Sequence, residues 1–298
     1  SIARGIERRR IVRPDTPLNF ILCENLHDAA DLLKPLVHAH LDESAKAWAE
    51  THIGFVNASI GRMVPIMTDE QKAEDPLLVR VEPYCELPVD ADALISPYPE
   101  IKHMKPIARF ISYVERKLYV HNLSHAATAY LGWFHQHRYI WQAAEDPVVV
   151  RIARAAAMES CQALFRKYGM PLPELEAHVN DLFQRYRNRA LGDTVERVAR
   201  DPIRKLGPED RIIGAARMCL EAGITPENIA MVAVAASLYR NPDDPAACQI
   251  QNIMQEKGPH AVFTEISGVQ PSEPLYPLLQ CAHEALTTTF PAASAAGF

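Results

Sequence analysis

The chain has 298 residues, of which 48% are apolar and 23% charged, and its formal net charge is −6. This composition excludes a disordered chain, and the length favours two domains over one hydrophobic core. The slight acidic excess gives no electrostatic reason to bind nucleic acid or an anionic membrane, so we expect neither as a partner.

The sequence carries no sign of secretion or of a membrane anchor. Its longest apolar run, residues 229–238, is far shorter than the ~20 residues that span a bilayer, and no signal peptide opens it. Six scattered cysteines form no C-x-x-C pair, whereas disulfide frameworks are typical of small secreted domains. We therefore expect reduced, mostly buried thiols in a cytoplasmic protein.

Strands and helices alternate over the first hundred residues. The apolar run LNFILC at 18–23 predicts a buried strand of a parallel sheet. Helical spacing predicts helices over 28–38 and 43–52, and β-branched runs predict strands over 54–66 and 77–87.

Beyond residue 100 the pattern is helical. One long helix is predicted over 107–134, with Pro106 near its first turn, where a missing N–H costs nothing. Proline recurs near the start of each later segment, which is a helix-start signal. Six more helices are predicted, over 147–168, 173–186, 208–221, 226–239, 245–256 and 276–287.

The sequence contains no glycine pattern that cradles a phosphate group. No two of its twelve glycines are separated by one residue, so G-x-G-x-x-G is absent, and no pair has Walker A spacing. The strand predicted at 18–23 has no strand–helix unit before it. This arrangement is typical of the second half of an open α/β sheet. We therefore expect the second half of a Rossmann-like sheet over 1–100 and a larger, all-helical domain over 101–298.

The segment ERKLYVHNLSH places a lysine, an amide and an imidazole on one broad helical face. At the α-helical step of ~100° per residue, Asn122 is rotated about 140° around the helix axis from Lys117, and His125 about 80°. Burial would lower the pKa of Lys117 towards that of a general base, and the Asn122 amide would donate to a developing alkoxide. His125 would orient a substrate hydroxyl.

Two alternatives remain open for this segment. Lys117 would equally suit a solvated helix surface, and His125 a hydrogen-bonded core position. His121 and His125 also have the i, i+4 spacing of helical zinc ligands, although no H-E-x-x-H motif and no third ligand accompany them.

The pattern K-x4-N-x2-H is the signature of the polyol-specific long-chain dehydrogenases, which this chain resembles. The stretch RKLYVHNLSHAATAYLG is similar in particular to the bacterial mannitol-1-phosphate 5-dehydrogenase branch. The same holds for LNFILCEN, GFVNASIGRMVP, RVEPYCELPVD, DTVERVARDPIRKL and EKGPHAVFTEISG, so that the resemblance extends over Ser1 to Leu286. It implies a metal-independent, NAD-dependent enzyme in which 1–100 is the C-terminal part of a Rossmann-like dinucleotide-binding domain and 101–298 is the substrate domain. It also implies that the glycine fingerprint belongs to a segment upstream of Ser1.

The resemblance also implies roles for individual residues. Lys117 corresponds to the general base, and Asn122 and Asn25 to the two amides that hold the oxyanion, Asn25 also facing the cofactor. His125 corresponds to a contact with a substrate hydroxyl.

Three further basic residues correspond to substrate-binding positions or lie beside them. Arg197 belongs to the D-T-x-x-R segment, Lys205 follows eight residues later, and Arg204 adds charge that would meet a sugar phosphate. A solvated basic face explains these residues equally well without the resemblance.

One position departs from the family pattern. The family usually has V-D-R where this chain has Ile60-Gly61-Arg62, so an active-site aspartate is replaced by Gly61. Asn57 lies four residues earlier and is a candidate for part of its role.

These observations favour an NAD-dependent polyol dehydrogenase that converts mannitol 1-phosphate to fructose 6-phosphate. A hexuronate reductase or mannitol 2-dehydrogenase of the same superfamily is the first alternative. The second is a non-catalytic substrate-binding module that lacks the nucleotide site. The choice between NAD and NADP and the oligomeric state stay open.

Overall fold

The computed structural model describes residues 1–24, 28–65, 67–75 and 77–289. The chain forms two compact units, one of Ser1–Val64 with Val81–Val114 and one of Pro65–Arg80 with Glu115–Phe298. The first unit mixes strands and helices and the second is helical, so the predicted fold class is confirmed. Within the described residues, no helix is both long enough and apolar enough to cross a membrane.

The first unit is built on short parallel strand pairs covered by helices. Strand β1 pairs with β2 in parallel, in register from Leu18 opposite Ile53 to Leu22 opposite Asn57, and β3 pairs with β4, also in parallel. Apolar side chains of α1, α2 and α3 pack with this β1–β2 pair into one core. The elements are α1 (Ile2–Val12), β1 (Leu18–Leu22), α2 (Ala29–His38), α3 (Glu43–His52), β2 (Ile53–Asn57), β3 (Leu87–Asp90) and β4 (Met104–Ile107).

The strands predicted over 54–66 and 77–87 are largely wrong. Strand β2 ends at Asn57, Ala58 forms only an isolated bridge to Val89, and the described residues between 59 and 86 contain no strand. The Glu82 carboxylate accepts from the Met63 N–H at 2.6 Å, and the Arg62 guanidinium donates to the Tyr84 carbonyl. Alternating hydrophobicity cannot distinguish such a segment from a strand, because both turn successive side chains to opposite sides.

The helix predicted to begin at 107 begins at Ile111 instead. Pro106 lies in β4 opposite Val89, where an edge strand tolerates a residue without an N–H. Arg109 then takes a left-handed backbone conformation (φ 54°), which separates β4 from helix α5 (Ile111–Arg116).

The second unit is organised around two helices that are buried on almost every side. Helices α6 and α13 consist mainly of small and aliphatic residues and pack against each other, with α8 against both. The helices predicted from 147 onwards are present, although the one predicted from 208 begins at Ile213. The helical elements are α4 (Asp69–Glu74), a π-helix (Lys117–Asn122), α6 (Leu123–Phe134), α7 (Ile140–Ala143), α8 (Pro147–Tyr168), α9 (Leu172–Tyr186), a 3₁₀ turn (Arg189–Leu191), α10 (Val195–Ala199), α11 (Pro202–Lys205), α12 (Ile213–Glu221), α13 (Glu227–Leu238), α14 (Pro245–Lys257), α15 (Ala261–Glu265) and α16 (Leu275–Thr289).

The proline start signal has a local cause in three of these helices. Asp146, Asp201 and Asp244 each precede a proline and cap the helix that follows by accepting a backbone N–H. The proline occupies the first helical turn, where its missing N–H would have had no partner.

The expected burial of the thiols is only partly right. All six cysteines are free, but only Cys161 and Cys219 are buried. Cys248 is half-buried and Cys23, Cys85 and Cys281 are exposed.

Candidate active site

The helix that carries Lys117 contains a π-helical turn. Helix α5 runs into the π-helix Lys117–Asn122, which continues into α6. In a π-turn the N–H of residue i+5 bonds to the carbonyl of residue i, so each turn holds an extra residue. The angle of about 140° between Lys117 and Asn122, which assumed α-helical spacing, is therefore wrong, because Asn122 lies one π-turn beyond Lys117.

Buried hydroxyls satisfy a carbonyl of the π-turn. The Tyr186 hydroxyl donates to the His121 carbonyl at 3.0 Å, and the Ser124 hydroxyl donates to the same carbonyl at 3.1 Å. The two hydroxyls lie 2.9 Å apart and are buried. Since a buried carbonyl without a partner is costly, this arrangement stabilises a helical turn that is otherwise rare.

Lys117 has the electrostatic environment that a lysine base requires. It is half-buried at the first position of the π-helix, and burial lowers its pKa below the ordinary value of 10.5. The positive charge of Arg211 lowers the pKa of Lys117 further. Both effects favour the neutral amine, which is the form that accepts a proton.

Lys205 is more deeply buried than its predicted role suggests. It closes α11 with 4% of its surface exposed, and its ammonium donates to the Arg200 carbonyl. Burial, aided by the charges of Arg211 and Arg204, lowers the pKa of Lys205 to about 7 despite two nearby aspartates.

Arg211 connects the two lysines electrostatically and was not identified from the sequence. It lowers the pKa of both Lys117 and Lys205, so it lies within electrostatic reach of each. Its Nε donates to Asp210 Oδ1 at 2.7 Å, and most of its side chain is buried. No motif marks this arginine, because Lys117 lies far from it in the sequence and comes within its reach only in the folded chain.

His125 and Arg197 meet at one carboxylate. Nε2 of His125 lies 3.5 Å from Oδ2 of Asp193, and the Arg197 guanidinium pairs with Oδ1. Burial alone would raise the pKa of Asp193, but His125 and Arg197 hold it below its usual range. The imidazole of His125 also stacks on the Tyr186 ring, with centroids 5.0 Å apart and planes 11° apart.

Asp193 is thus a candidate site residue that sequence reasoning missed, although it is the aspartate of the D-T-x-x-R segment itself. The remaining predicted cation, Arg204, is half-exposed. Its Nε donates to Asp201 Oδ2 at 3.0 Å.

Asn25 lies outside the described residues, so its assignment as an oxyanion-holding amide stays a prediction. The zinc alternative can be examined at His121, which is buried with 7% of its surface exposed. Burial, followed by the charge of His125, lowers the pKa of His121 well below 6.5, so its ring is neutral. Within the described residues, neither histidine belongs to a group of three metal-ligand side chains.

Gly61 lies against an aromatic ring. A Cβ added at Gly61 would meet Cε1 of Tyr84 at 3.3 Å, so a larger residue requires the ring to shift. Asn57 is engaged elsewhere in the same unit, because its Oδ1 accepts the Ala30 N–H at 2.9 Å and its amide donates to Asp31 at 3.2 Å. The Asn57 side chain therefore has a structural role at the start of α2.

Family comparisons match both units of the chain. The Mannitol dehydrogenase Rossmann domain matches residues 1–103, and the Mannitol dehydrogenase C-terminal domain matches residues 110–275.

Solved structures give the same result for the fold. A substrate-free D-sorbitol dehydrogenase superposes with a TM-score of 0.76 at 14% identity, over 98% of this chain and 65% of that chain. The mannitol 2-dehydrogenase of Pseudomonas fluorescens, in a ternary complex with NAD and D-mannitol, superposes with a TM-score of 0.66 at 20% identity. This second match covers 99% of the present chain, which spans 64% of the length of that dehydrogenase.

Proposed function

Because the chain belongs to the mannitol dehydrogenase family, we propose that it supplies the substrate-binding and proton-transfer part of an NAD-dependent polyol dehydrogenase. The observation that carries this proposal is the environment of Lys117. A half-buried lysine with a lowered pKa, one π-turn before an amide, combines a proton acceptor with an oxyanion donor on one helix.

The residues of this chain account for the fate of the hydroxyl proton. In the oxidation direction the neutral amine of Lys117 takes the proton of the reacting hydroxyl as its carbon is oxidised. The Asn122 amide donates to the developing alkoxide without adding a charge, and His125, held by Asp193, contacts a neighbouring hydroxyl. In the reduction direction the Lys117 ammonium returns the proton.

NAD is the oxidant that we propose for the complete enzyme. A dinucleotide pyrophosphate is normally held by a glycine-rich turn at a helix N-terminus, and this sequence has no G-x-G-x-x-G. Helix α2, which follows β1, is preceded by Asp28 in a left-handed conformation, and the Ala30 N–H in its first turn already bonds to Asn57. The start of α2 in the described residues therefore does not fit a pyrophosphate, and NAD use is supported instead by the match to the Mannitol dehydrogenase Rossmann domain over residues 1–103.

Mannitol 1-phosphate is the first candidate substrate, supported by the resemblance around Lys117 and by the cations Arg197, Arg204 and Lys205. A free polyol is the second candidate, and a specific observation favours it. Asp193 pairs with Arg197 and Asp201 with Arg204, while Lys205 donates to a backbone carbonyl, so each cation already has a partner. A phosphate would have to compete with these partners.

Replacement of the base tests the proposed activity. In the complete protein, Lys117→Ala should reduce NAD-dependent polyol oxidation by at least ~10²-fold, which is the low end for general acid–base catalysis. Lys167→Ala is the matched control, because Lys167 lies in the same unit, is exposed and pairs with Glu115, which raises its pKa. Near-normal turnover by Lys117→Ala would reject Lys117 as the base.

A comparison of phosphorylated and free mannitol decides the substrate class. A phosphate-binding role predicts a higher KM for mannitol 1-phosphate in Arg204→Gln and Arg197→Gln, with the KM for free mannitol unchanged. Equal effects on both substrates, or oxidation of free mannitol alone, would favour the free polyol. A protein that binds either compound in calorimetry but produces no NADH would be a binding module.

A further inference from the structure

A second cluster of chemically competent side chains lies at the C-terminal end of α6. His135, His137 and Asp146 each direct one ligand-type atom towards the others, and these atoms all lie within 4.8 Å of one another. Asp146 Oδ2 lies 3.0 Å from His137 Nε2 and also bonds to His135 Nδ1. All three residues are partly buried.

The end of α6 brings the two histidines together. His135 is the C-cap residue, and Gln136 then takes a left-handed conformation with φ 56°. The Gln136 N–H bonds to Trp133 and the His137 N–H to Gly132, which is the bond pattern of a Schellman helix end. A glycine is usual at the left-handed position of this motif, so the chain accepts some strain at Gln136 while both imidazoles face Asp146.

The close packing of α7 against α6, together with the N-terminal cap of α8, brings the Asp146 carboxylate to this cluster. A Cβ at Gly132 would lie 2.6 Å from that of Ala143, so the absence of a side chain lets α7 approach α6. Asp146 follows and caps α8 through Oδ1, which accepts the N–H groups of Val148 at 2.9 Å and Val149 at 3.3 Å. The cap fixes the orientation of the carboxylate and leaves Oδ2 directed at the imidazoles.

We propose that His135, His137 and Asp146 form a binding site for a divalent transition-metal ion of the zinc type. Two imidazole nitrogens and one carboxylate oxygen suit Zn²⁺, whereas Mg²⁺ and Ca²⁺ prefer oxygen ligands alone. Tetrahedral coordination with bonds of roughly 2.1 Å places ligand atoms roughly 3.4 Å apart, within reach of small side-chain rotations from the observed cluster. Each neutral imidazole would keep its proton on the nitrogen that does not bind the ion, and water would complete the coordination.

The site is separate from the candidate active site. His125 lies in the first turn of α6 and His135 just beyond its last, so ten residues at 1.5 Å each place them about 15 Å apart along the helix axis. The ion would join the end of α6 to the start of α8 and would stabilise the folded state by mass action. The family resemblance implies no catalytic metal, and a structural ion remote from Lys117 is compatible with metal-independent chemistry.

Metal titration of the purified protein, after treatment with a chelator, tests the site. We expect calorimetry to show that one Zn²⁺ binds per chain. We also expect bound Co²⁺ to give the visible absorption spectrum of a tetrahedral, low-symmetry site. His137→Gln should weaken Zn²⁺ binding by more than ~10-fold, because even second-shell changes cost that much. His260→Gln is the matched control, since His260 lies in the same unit against another imidazole, that of His283, outside the cluster.

Asp146→Asn separates loss of metal binding from loss of the fold. Asparagine caps a helix as well as aspartate does but is a poorer metal ligand. This variant should keep the circular dichroism of the parent and lose the rise in melting temperature that Zn²⁺ produces. Absence of stoichiometric binding, or unchanged affinity in both His137→Gln and Asp146→Asn, would overturn the proposal. Dehydrogenase activity unaffected by the chelator is expected and leaves the assignment of Lys117 independent of this site.

Discussion

Nε2 of His125 lies 3.5 Å from Oδ2 of Asp193, while the other oxygen of that carboxylate pairs with Arg197. Two residues that the family pattern associates with the substrate therefore share one carboxylate. Asp193 is buried, and its pKa is held low by these two partners, so it remains ionised at neutral pH. A fixed negative charge between an imidazole and a guanidinium restrains both side chains.

We predict that Asp193→Asn raises the KM for the polyol several-fold more than it lowers kcat. The amide keeps the size of the side chain but removes the charge that orients His125 and Arg197. Steady-state kinetics across polyol concentrations measure this split.

Asp181→Asn is the control, because Asp181 is exposed and pairs with Arg185 at i, i+4 in the same unit, so its loss should leave both constants unchanged. An Asp193→Asn enzyme with unchanged KM, or with equal losses in both variants, would show that Asp193 does not position the substrate residues.

The pH dependence of polyol oxidation should report the charge of Arg211. Arg211 lowers the pKa of Lys117, so removal of its charge in Arg211→Gln raises that pKa. A higher pKa leaves less neutral amine at a given pH, so the rising limb of kcat/KM should move to higher pH.

Arg211→Lys keeps the positive charge and should keep the limb near its original position. If Arg211→Gln lowers kcat/KM equally at all pH values, then Arg211 supports the fold and does not tune the base.

Local sequence signals located the helices well, because their causes are local. The capping aspartates before Pro147 and Pro245 act on backbone groups two residues away, within reach of a pattern search, whereas the short helix that begins at Pro202 was not predicted. The parallel strand at 18–22 was likewise marked by its own apolar run.

The features that the sequence did not show depend on partners distant in the chain. The π-turn at Lys117 is supported by Tyr186, which lies on another helix, and helical periodicity alone cannot reveal the extra residue. Arg211 likewise affects Lys117 and Lys205 only after folding. The family pattern named His125 and Arg197 but not the carboxylate that joins them, because a motif records positions and not contacts.

Lys205 should make the stability of the protein depend on pH. Its pKa is about 7 in the folded protein and 10.5 in the unfolded chain, so between these values the unfolded chain binds more protons. The free energy of unfolding therefore rises with pH across this window, by up to about 1.4 kcal/mol per pH unit. The destabilisation caused by charging the buried Lys205 is largest below the folded pKa.

Urea unfolding at ~pH 7.5 and ~pH 9.5 measures this slope against Lys205→Met, which lacks the group. The free energy of unfolding of the parent minus that of Lys205→Met should increase by about 2 kcal/mol from the lower to the higher pH. Lys167→Met is the control, because a raised pKa gives no such slope in this range. Parallel pH profiles for the parent and Lys205→Met would mean that Lys205 is not desolvated.

Two glycines of the first unit should respond in opposite directions to the same substitution. A Cβ at Gly54 in β2 would overlap the Asn19 side chain and lie 2.8 Å from the Ala93 carbonyl oxygen. That side chain cannot yield cheaply, because its amide joins β1 to Ile95 through hydrogen bonds of 3.0 and 2.9 Å. We predict that Gly54→Ala lowers the free energy of unfolding by about 1–3 kcal/mol or more, the usual cost of overpacking.

Gly5 is the matched control because it lies on the exposed side of α1, where a Cβ meets nothing within 4 Å. Gly5→Ala should raise the free energy of unfolding by up to ~1 kcal/mol, the difference in helix propensity between the two residues. Urea unfolding followed by circular dichroism measures both changes. Equal and small effects at the two positions would mean that Asn19 and the 93–95 backbone move aside, and that the contact between β1, β2 and Ile95 is not rigid.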